Sequence, residues 1–98
     1  MNELILYKLT SGEEVVAKQA AIKTDTVVIE DAVTLVYHQV GEGKMSVGFA
    51  PFMPYAEGTI ELNKSSIAAF SPPKDQIAQE HMRVFSGIVL APPGSKLA

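Results

Sequence analysis

The chain has 98 residues, of which 47% are hydrophobic and 19% are charged, and its mean hydropathy is +0.16. This length predicts one domain with a small core. The net charge of -3 and the pI of about 5.2 exclude the general positive field of a basic nucleic-acid-binding protein, so any nucleic-acid site must be local. The absence of cysteine excludes a disulfide framework and a thiolate nucleophile.

The N-terminal sequence MNELILYKL has the acidic Glu3 where a signal peptide has basic residues, and no apolar run is long enough to span a membrane. We therefore expect a soluble, cytoplasmic protein without a membrane partner. The apolar fraction is large for a sheet with one buried face. It predicts subunit interfaces, because monomers rarely expose large apolar patches.

The first half of the chain alternates apolar and polar residues with the period of two that is typical of antiparallel strands. Turn residues at Ser11-Gly12 and at Lys23-Thr24-Asp25 separate the runs. A break near residues 30–32 would let the long third strand bend. The first three predicted strands are residues 4–10, 13–22 and 26–39.

The second half begins with a hairpin turn at Gly41-Glu42-Gly43. A fourth strand follows over residues 44–53, where prolines place its end at a sheet edge or outside the sheet. A fifth strand over residues 59–70 is interrupted at residues 63–66. This interruption would let the last strand cross from one half of a bent sheet to the other.

The residues after the fifth strand predict a C-terminal helix. Ser71 has the side chain of an N-cap, Pro72 suits the first helical position, and Gly87 suits the C-cap after a helix over residues 71–86. Residues 88–90 would form a short strand. An apolar stripe predicted to pack on the sheet or on a neighbouring subunit comprises Ile77, Ala78, His81, Met82 and Phe85.

Two segments resemble the motifs of the Sm-like family in their spacing. The first motif of that family is Met-Asn-Leu, followed by Asp-Ala that begins five residues after the Asn. When Asp31-Ala32 is aligned with that Asp-Ala, Asp25, Thr26 and Val27 take the Met, Asn and Leu positions. Its second motif, an apolar residue before Arg-Gly with apolar residues five and eight positions on, resembles Leu62, Asn63, Lys64, Ile67 and Phe70. The run SVGFAPFMPYAEG followed by LNKS resembles small uncharacterised Sm-like proteins of marine phages.

The resemblance implies a small, strongly bent, five-stranded antiparallel Sm-like barrel with a C-terminal helix. Residues 1–70 would form the barrel, residues 71–90 a helix and short extension on the same domain, and residues 91–98 a flexible tail. A helix at this end and Ala17 in place of a strand glycine depart from the family pattern.

Sm-like proteins commonly assemble as homo-oligomeric rings whose pore loops bind single-stranded uridine- or adenine-rich RNA. The resemblance implies RNA-binding positions at Asp25, Thr26, Asn63 and Lys64. The competing interpretation is structural: Asp25-Thr26 would be an ordinary turn, and Asn63-Lys64 an ordinary strand break with a solvated lysine. In addition, Asp25 places a carboxylate where the family has a stacking group, and a carboxylate repels phosphate.

A cluster of apolar residues between Phe49 and Tyr55 predicts an interface rather than a platform for stacking bases. This favours an alternative function, a structural or adaptor ring that binds a protein partner and has lost the RNA site. The sequence contains no nucleophile elbow or full phosphate loop, and its two histidines lie in different elements. We therefore expect no enzymatic activity, no cofactor and no metal site.

Overall fold

The computed structural model describes residues 3–90, with the side chains of residues 3–85. The described chain forms one six-stranded antiparallel sheet followed by one helix, which confirms the predicted mainly β fold with a C-terminal helix. The strands are β1 (Glu3–Leu9), β2 (Glu14–Ile22), β3 (Thr26–Gly41), β4 (Lys44–Pro51), β5 (Ile60–Asn63) and β6 (Ile67–Ser71), and the helix α1 is Asp75–Leu90.

The sheet has the strand order β4-β3-β2-β1-β6, and β5 joins it through β3. The edge of β3 that faces away from β2 pairs with two strands: residues 26–29 pair with β5 and residues 33–41 pair with β4. Within the described residues the sheet is not closed, and β4 and β6 each have one edge without a partner strand.

The sequence predicts five strands, and the structure has six because the predicted interruption of the last strand is a complete turn of 3-10 helix, Lys64–Ser66. This turn moves the chain from one partner to another. Before it, β5 pairs with β3; after it, β6 pairs with β1, and the Thr10 amide donates to the Ser66 carbonyl at 2.8 Å.

The predicted break in the third strand is a β-bulge. Between the pairs Val16–Val33 and Lys18–Glu30, one residue of β2 lies opposite two residues of β3, Asp31 and Ala32, and Asp31 lies in the left-handed region with φ 53°. An extra residue in a strand exchanges the faces to which the following side chains point. The first and second halves of β3 therefore bury their side chains on opposite faces of the sheet.

These two faces contain two apolar cores. The first lies on the side of β5 and comprises Ile5, Tyr7, Leu9, Val15, Ala17, Val27, Ile29 and Leu62. The second is built on Val16, Val33 and Leu35, with half-buried Leu4, Leu6 and Phe49 and with Ile77 and Phe85 of α1 packed against it. The helix thus covers the second face, as the predicted apolar stripe requires, although Met82 of that stripe is exposed.

The helix begins later and ends later than the sequence predicts. Ser71 is not the N-cap but the last residue of β6, paired with Leu6. A residue that precedes proline disfavours the helical conformation, so Pro72 and Pro73 keep Ser71 and Pro72 out of the helix, which begins at Asp75. Gly87 lies inside the helix, which continues to Leu90 in place of the predicted short strand. The predicted flexible tail, residues 91–98, lies outside the described residues.

Candidate functional site

The four predicted binding positions come together at one end of the sheet. Thr26, the first residue of β3, is paired with Asn63, the last residue of β5. The backbone amide of Lys64 donates to the carbonyl of Asp25 at 2.9 Å. Two segments that are 38 residues apart in the sequence therefore form one surface, although each was selected only by its spacing.

The side chains of this surface differ in what they offer a ligand. Asp25, Asn63 and Lys64 are exposed, whereas the hydroxyl of half-buried Thr26 donates to Glu61 Oε1 at 3.1 Å. The ammonium of Lys23 donates to the other oxygen of the same carboxylate at 3.0 Å. These two donors lower the pKa of Glu61 below its usual range, the hydrogen bond from Lys23 being the largest cause.

Glu61 and Lys23 are thus members of the site that the sequence prediction missed. They neutralise each other and leave Asp25 and Lys64 as the exposed charges beside Asn63. None of the ion pairs among the described side chains involves Lys64. Its ammonium is accordingly available to an anionic ligand, while the carboxylate of Asp25 limits the positions from which a phosphate can approach.

A cleft of about 650 Å³ lies next to this surface and shares Lys64 with it. Its buried wall belongs to the first core, and its rim carries the exposed apolar side chains of Ile22 and Phe70, which are 62% and 72% exposed. The residues that line it are Glu3, Ile5, Tyr7, Gln19, Ile22, Val27, Lys64, Ile67, Ala68, Ala69 and Phe70.

A hydrogen-bonded pair supplies the polar groups of the cleft wall. The hydroxyl of Tyr7, a residue that is 1% exposed, donates to Gln19 Oε1 at 3.0 Å. Burial raises the pKa of Tyr7 to about 12, above a usual value at which the phenol is already protonated and able to donate at neutral pH. Sequence reasoning missed this pair, because both faces of β1 are apolar and the alternation does not show which face carries the cleft.

The predicted apolar patch between Phe49 and Tyr55 is divided by the fold. Phe49 packs against the second core and Phe52 against the first. In contrast, Met53 and Tyr55 are 50% and 99% exposed. Only the loop after β4 therefore presents the apolar surface that the adaptor alternative requires.

A second exposed apolar surface lies on the hairpin of β3 and β4. Tyr37 is paired with Val47, and Met45 with Gln39, on the face that also carries Phe49. A groove of about 370 Å³ separates this surface from the first turns of α1, where Gln76, Ile77 and Glu80 line it. The hydroxyl of Tyr37 donates to Glu14, which raises the pKa of Tyr37.

The two histidines have different environments. His38 is exposed on the hairpin, and His81 of α1 is buried against the rings of Phe49 and Phe85. His81 Nε2 lies 2.8 Å from the carbonyl of Asp31, and a carbonyl accepts hydrogen bonds only, so Nε2 carries the proton. The described residues contain no group of three or more side chains suited to holding a metal ion.

No helix in the described part of the chain is long and apolar enough to cross a membrane. Comparison of the sequence with protein-family models finds no match, and comparison with curated proteins finds no match either.

Proposed function

We propose that the chain is a variant of the Sm-like barrel that assembles as a homo-oligomeric ring and binds single-stranded RNA through the surface formed by Asp25, Thr26, Asn63 and Lys64. Neither a cofactor nor a catalytic residue enters the proposal.

The barrel is supported by the pairing of the two strands that flank the 3-10 turn. In a bent sheet that curls on itself, consecutive segments must pair with strands from different parts of the sheet. Here β5 pairs with β3 and β6 pairs with β1, so one turn of helix connects the two sides of the first core.

The ring is supported by the free sheet edges of β4 and β6. Unpaired edges are sites of association, and strand addition between identical chains satisfies the free edges of both. The surfaces beside these edges carry exposed apolar side chains, Met45 and Val47 on β4 and Phe70 on β6. A heterologous contact of β4 with β6 of the next copy repeats around a closed ring.

RNA binding is supported by one observation above all, the hydrogen bond from the Lys64 amide to the Asp25 carbonyl, which joins the two segments into one surface. A ring would bring one such surface from each copy to a shared pore. Each copy would add an exposed ammonium from Lys64 and an exposed amide from Asn63 to that pore. Such repetition brings together several Lys64 ammonium groups, each accompanied by the Asp25 carboxylate of the same surface, so a phosphate would be favoured only on the Lys64 side.

Binding of labelled oligo-uridine and oligo-adenosine, measured by fluorescence anisotropy at several salt concentrations, tests this function. We expect affinity at low salt that falls as salt rises, because phosphate contacts release counterions. Lys64→Glu should weaken binding at least ten-fold, because it replaces an attractive charge by a repulsive one in every copy.

The matched control is Lys44→Glu, which makes the same charge change at the exposed tip of the hairpin between β3 and β4. It should leave affinity nearly unchanged, provided that light scattering shows the same molecular mass. Absence of binding at low salt, or equal losses in the two variants, would refute the RNA site.

The exposed loop after β4 favours a second candidate function, an adaptor ring that binds a protein partner. Tyr55 has 99% of its surface exposed, and exposed aromatic residues are common at the centres of protein interfaces. This alternative predicts an assembly that retains its mass and binds no oligonucleotide at low salt. A ring that binds oligonucleotides and loses them on Lys64→Glu would exclude it.

A further inference from the structure

The cleft beside β6 and the loop that connects β4 to β5 are two apolar surfaces that the single chain leaves exposed. The cleft, of about 650 Å³, has the exposed side chains of Ile22 and Phe70 at its rim. The loop, residues 52–59, carries Met53 and Tyr55, which are 50% and 99% exposed. One surface lies beside the free edge of β6 and the other follows the strand with the free edge of β4. Apolar surfaces in such positions indicate contacts between copies.

The face on which Phe70 projects follows from the pairing of β6 with β1. Phe70 is paired with Tyr7, and the ring of Tyr7 lies in the first core. Cross-strand partners point to the same face of a sheet. Phe70 therefore projects on the first face, which is the face of the first core.

The apolar side chains of β4 project on the opposite face. Phe49 is paired with Leu35, and both belong to the second core or pack against it. Met45 and Val47 precede Phe49 at intervals of two residues, so they share its face. In a sheet that continues from β4 of one copy into β6 of the next, Phe70 consequently projects away from Met45 and Val47.

The loop after β4 supplies what the first face of that strand lacks. The residues of β4 on the first face are small, namely Ser46, Gly48 and Ala50. The chain then turns towards the same face, because Phe52 packs against the first core of its own copy. The exposed Met53 and Tyr55 follow directly, so the loop is the large apolar surface that one copy offers to Phe70 of the next.

We propose that this loop inserts Met53 and Tyr55 into the cleft of the neighbouring copy, where they pack against Ile22 and Phe70. The inference rests on the proposed ring and identifies a contact between its copies in addition to the pairing of β4 with β6. In such a ring the loop is covered, so it is not free to bind the separate protein partner of the second candidate function.

The polar groups of the cleft suit the phenol of Tyr55. Gln19 Oε1 accepts from Tyr7, and the N–H groups of the same amide make no hydrogen bond within the described residues. Glu3 also lines the cleft and offers a carboxylate acceptor. A phenol both accepts and donates, so the Tyr55 hydroxyl finds an N–H donor and a carboxylate acceptor there. This contact requires no anion and leaves the ammonium of Lys64 to the proposed RNA surface.

Cross-linking between copies tests the insertion directly, because the chain contains no natural cysteine. Subunits carrying Met53→Cys and subunits carrying Ile22→Cys are co-expressed and treated with a short bis-maleimide. We expect a covalent dimer on a denaturing gel from the mixture and little from either variant alone. Met82→Cys co-expressed with Ile22→Cys is the matched control, since Met82 is 63% exposed on the helix that covers the second face. It should give no dimer.

Substitution of Tyr55 measures what the insertion contributes to assembly. Tyr55→Ala should raise the protein concentration at which light scattering shows half the mass of the ring by about ten-fold or more, because buried aromatic residues dominate interfaces. Tyr55→Phe keeps the ring of the side chain and removes the hydroxyl, so it should raise this concentration by roughly three-fold. Met82→Ala should leave it unchanged, and the circular dichroism spectra of all three variants should match that of the wild-type protein.

The outcomes separate this inference from the ring on which it rests. If the wild-type protein assembles but the mixture gives no more dimer than the Met82→Cys control, the insertion is overturned and the ring stands. An unchanged assembly concentration in Tyr55→Ala overturns the insertion in the same way and leaves the loop to a different partner. A wild-type protein with the mass of one subunit overturns both.

Discussion

Tyr7 shows how one buried polar group serves both the core and the wall of the cleft. Its ring fills the first core, and its hydroxyl reaches Gln19 on the neighbouring strand. A buried phenol without a partner would cost about 1–3 kcal/mol, so this hydrogen bond makes a tyrosine acceptable at a core position. The same bond orients the amide that faces the cleft.

The raised pKa of Tyr7 predicts a loss of stability at alkaline pH. The ordinary value is 10.0 and the folded value is about 12, so the folded chain keeps a proton that the unfolded chain releases in this interval. The contribution of the protonated Tyr7 to the free energy of unfolding is complete below pH 10 and is lost as pH rises towards 12. The free energy of unfolding, measured with urea across this range, should fall less steeply in Tyr7→Phe than in the wild-type protein.

Tyr37→Phe is the control, because the pKa of Tyr37 is also raised, through its hydrogen bond to Glu14, but its side chain is half exposed. Removal of the Tyr37 hydroxyl should change the pH dependence of the free energy of unfolding less than Tyr7→Phe does. Identical slopes in the wild-type protein and Tyr7→Phe would contradict the assignment. When the phenolate absorbance is followed as pH rises, the step at the highest pH should be absent in Tyr7→Phe and present in Tyr37→Phe.

At the scale of elements, the bulge in β3 and the helix α1 depend on each other. The bulge turns the carbonyl of Asp31 out of the strand ladder, and His81 of the helix donates to it at 2.8 Å. Lys18 forms an ion pair with the side chain of the same residue at 3.2 Å. The helix therefore completes the hydrogen bonding of the strand that it covers, in addition to burying Ile77 and Phe85.

Replacement of His81 measures this coupling. His81→Phe keeps a ring between Phe49 and Phe85 but leaves the carbonyl of Asp31 without its donor, so we expect a loss of about 1–3 kcal/mol in the free energy of unfolding. Arg83→Ala, an exposed substitution on the same helix, should change it by about 0.5 kcal/mol or less. Urea unfolding followed by circular dichroism gives both values. Equal stabilities for His81→Phe and the wild-type protein would show that the hydrogen bond contributes nothing net.

The elements were predictable to the extent that local chemistry determines them. Alternation and turn residues located β1 to β4, and the break at residues 30–32 is the bulge. The start of α1 was mispredicted, because Ser71 satisfies the local rules for an N-cap but is used in the long-range pairing of β6 with Leu6. The two prolines that follow Ser71 carried the correct signal, since each restricts the residue before it.

The candidate site was predictable in its position but not in its chemistry. Spacing alone selected Asp25 and Lys64, which the fold joins by a hydrogen bond. Glu61, which accepts from Thr26, and Gln19, which accepts from Tyr7, depend on cross-strand neighbours that no local pattern contains. The exchange of faces at Asp31 has the same origin, because one inserted residue changes the direction of every side chain after it.

At the scale of the whole molecule, the exposed apolar surface is concentrated near the free edges of the sheet. The hairpin of β3 and β4 carries one group, and β6 carries Phe70 over the cleft. The exposed apolar residues of the hairpin are Tyr37, Val40, Met45 and Val47. The small core of this chain leaves this apolar surface in contact with water. An interface with another subunit would bury it.

The proposed ring predicts that charge on the hairpin surface disrupts assembly without unfolding the subunit. In the double variant Met45→Lys/Val47→Lys, both side chains are already exposed in the single chain, so folding should cost about 0.5 kcal/mol or less. In the assembly they would bury two ammonium groups in each contact, which is strongly unfavourable. Light scattering should show the mass of a ring for the wild-type protein and a mass close to one subunit for the variant.

Met82→Lys is the matched control, since Met82 is 63% exposed on the helix and is not among the residues that line the groove between α1 and β4. It introduces the same charge and should retain the mass of the wild-type assembly. If both variants retain that mass, β4 does not form the contact, and if the wild-type protein has the mass of one subunit, no ring exists. A mass that falls only in the hairpin variant, with an unchanged circular dichroism spectrum, places the contact at β4, because the control excludes a general effect of added charge.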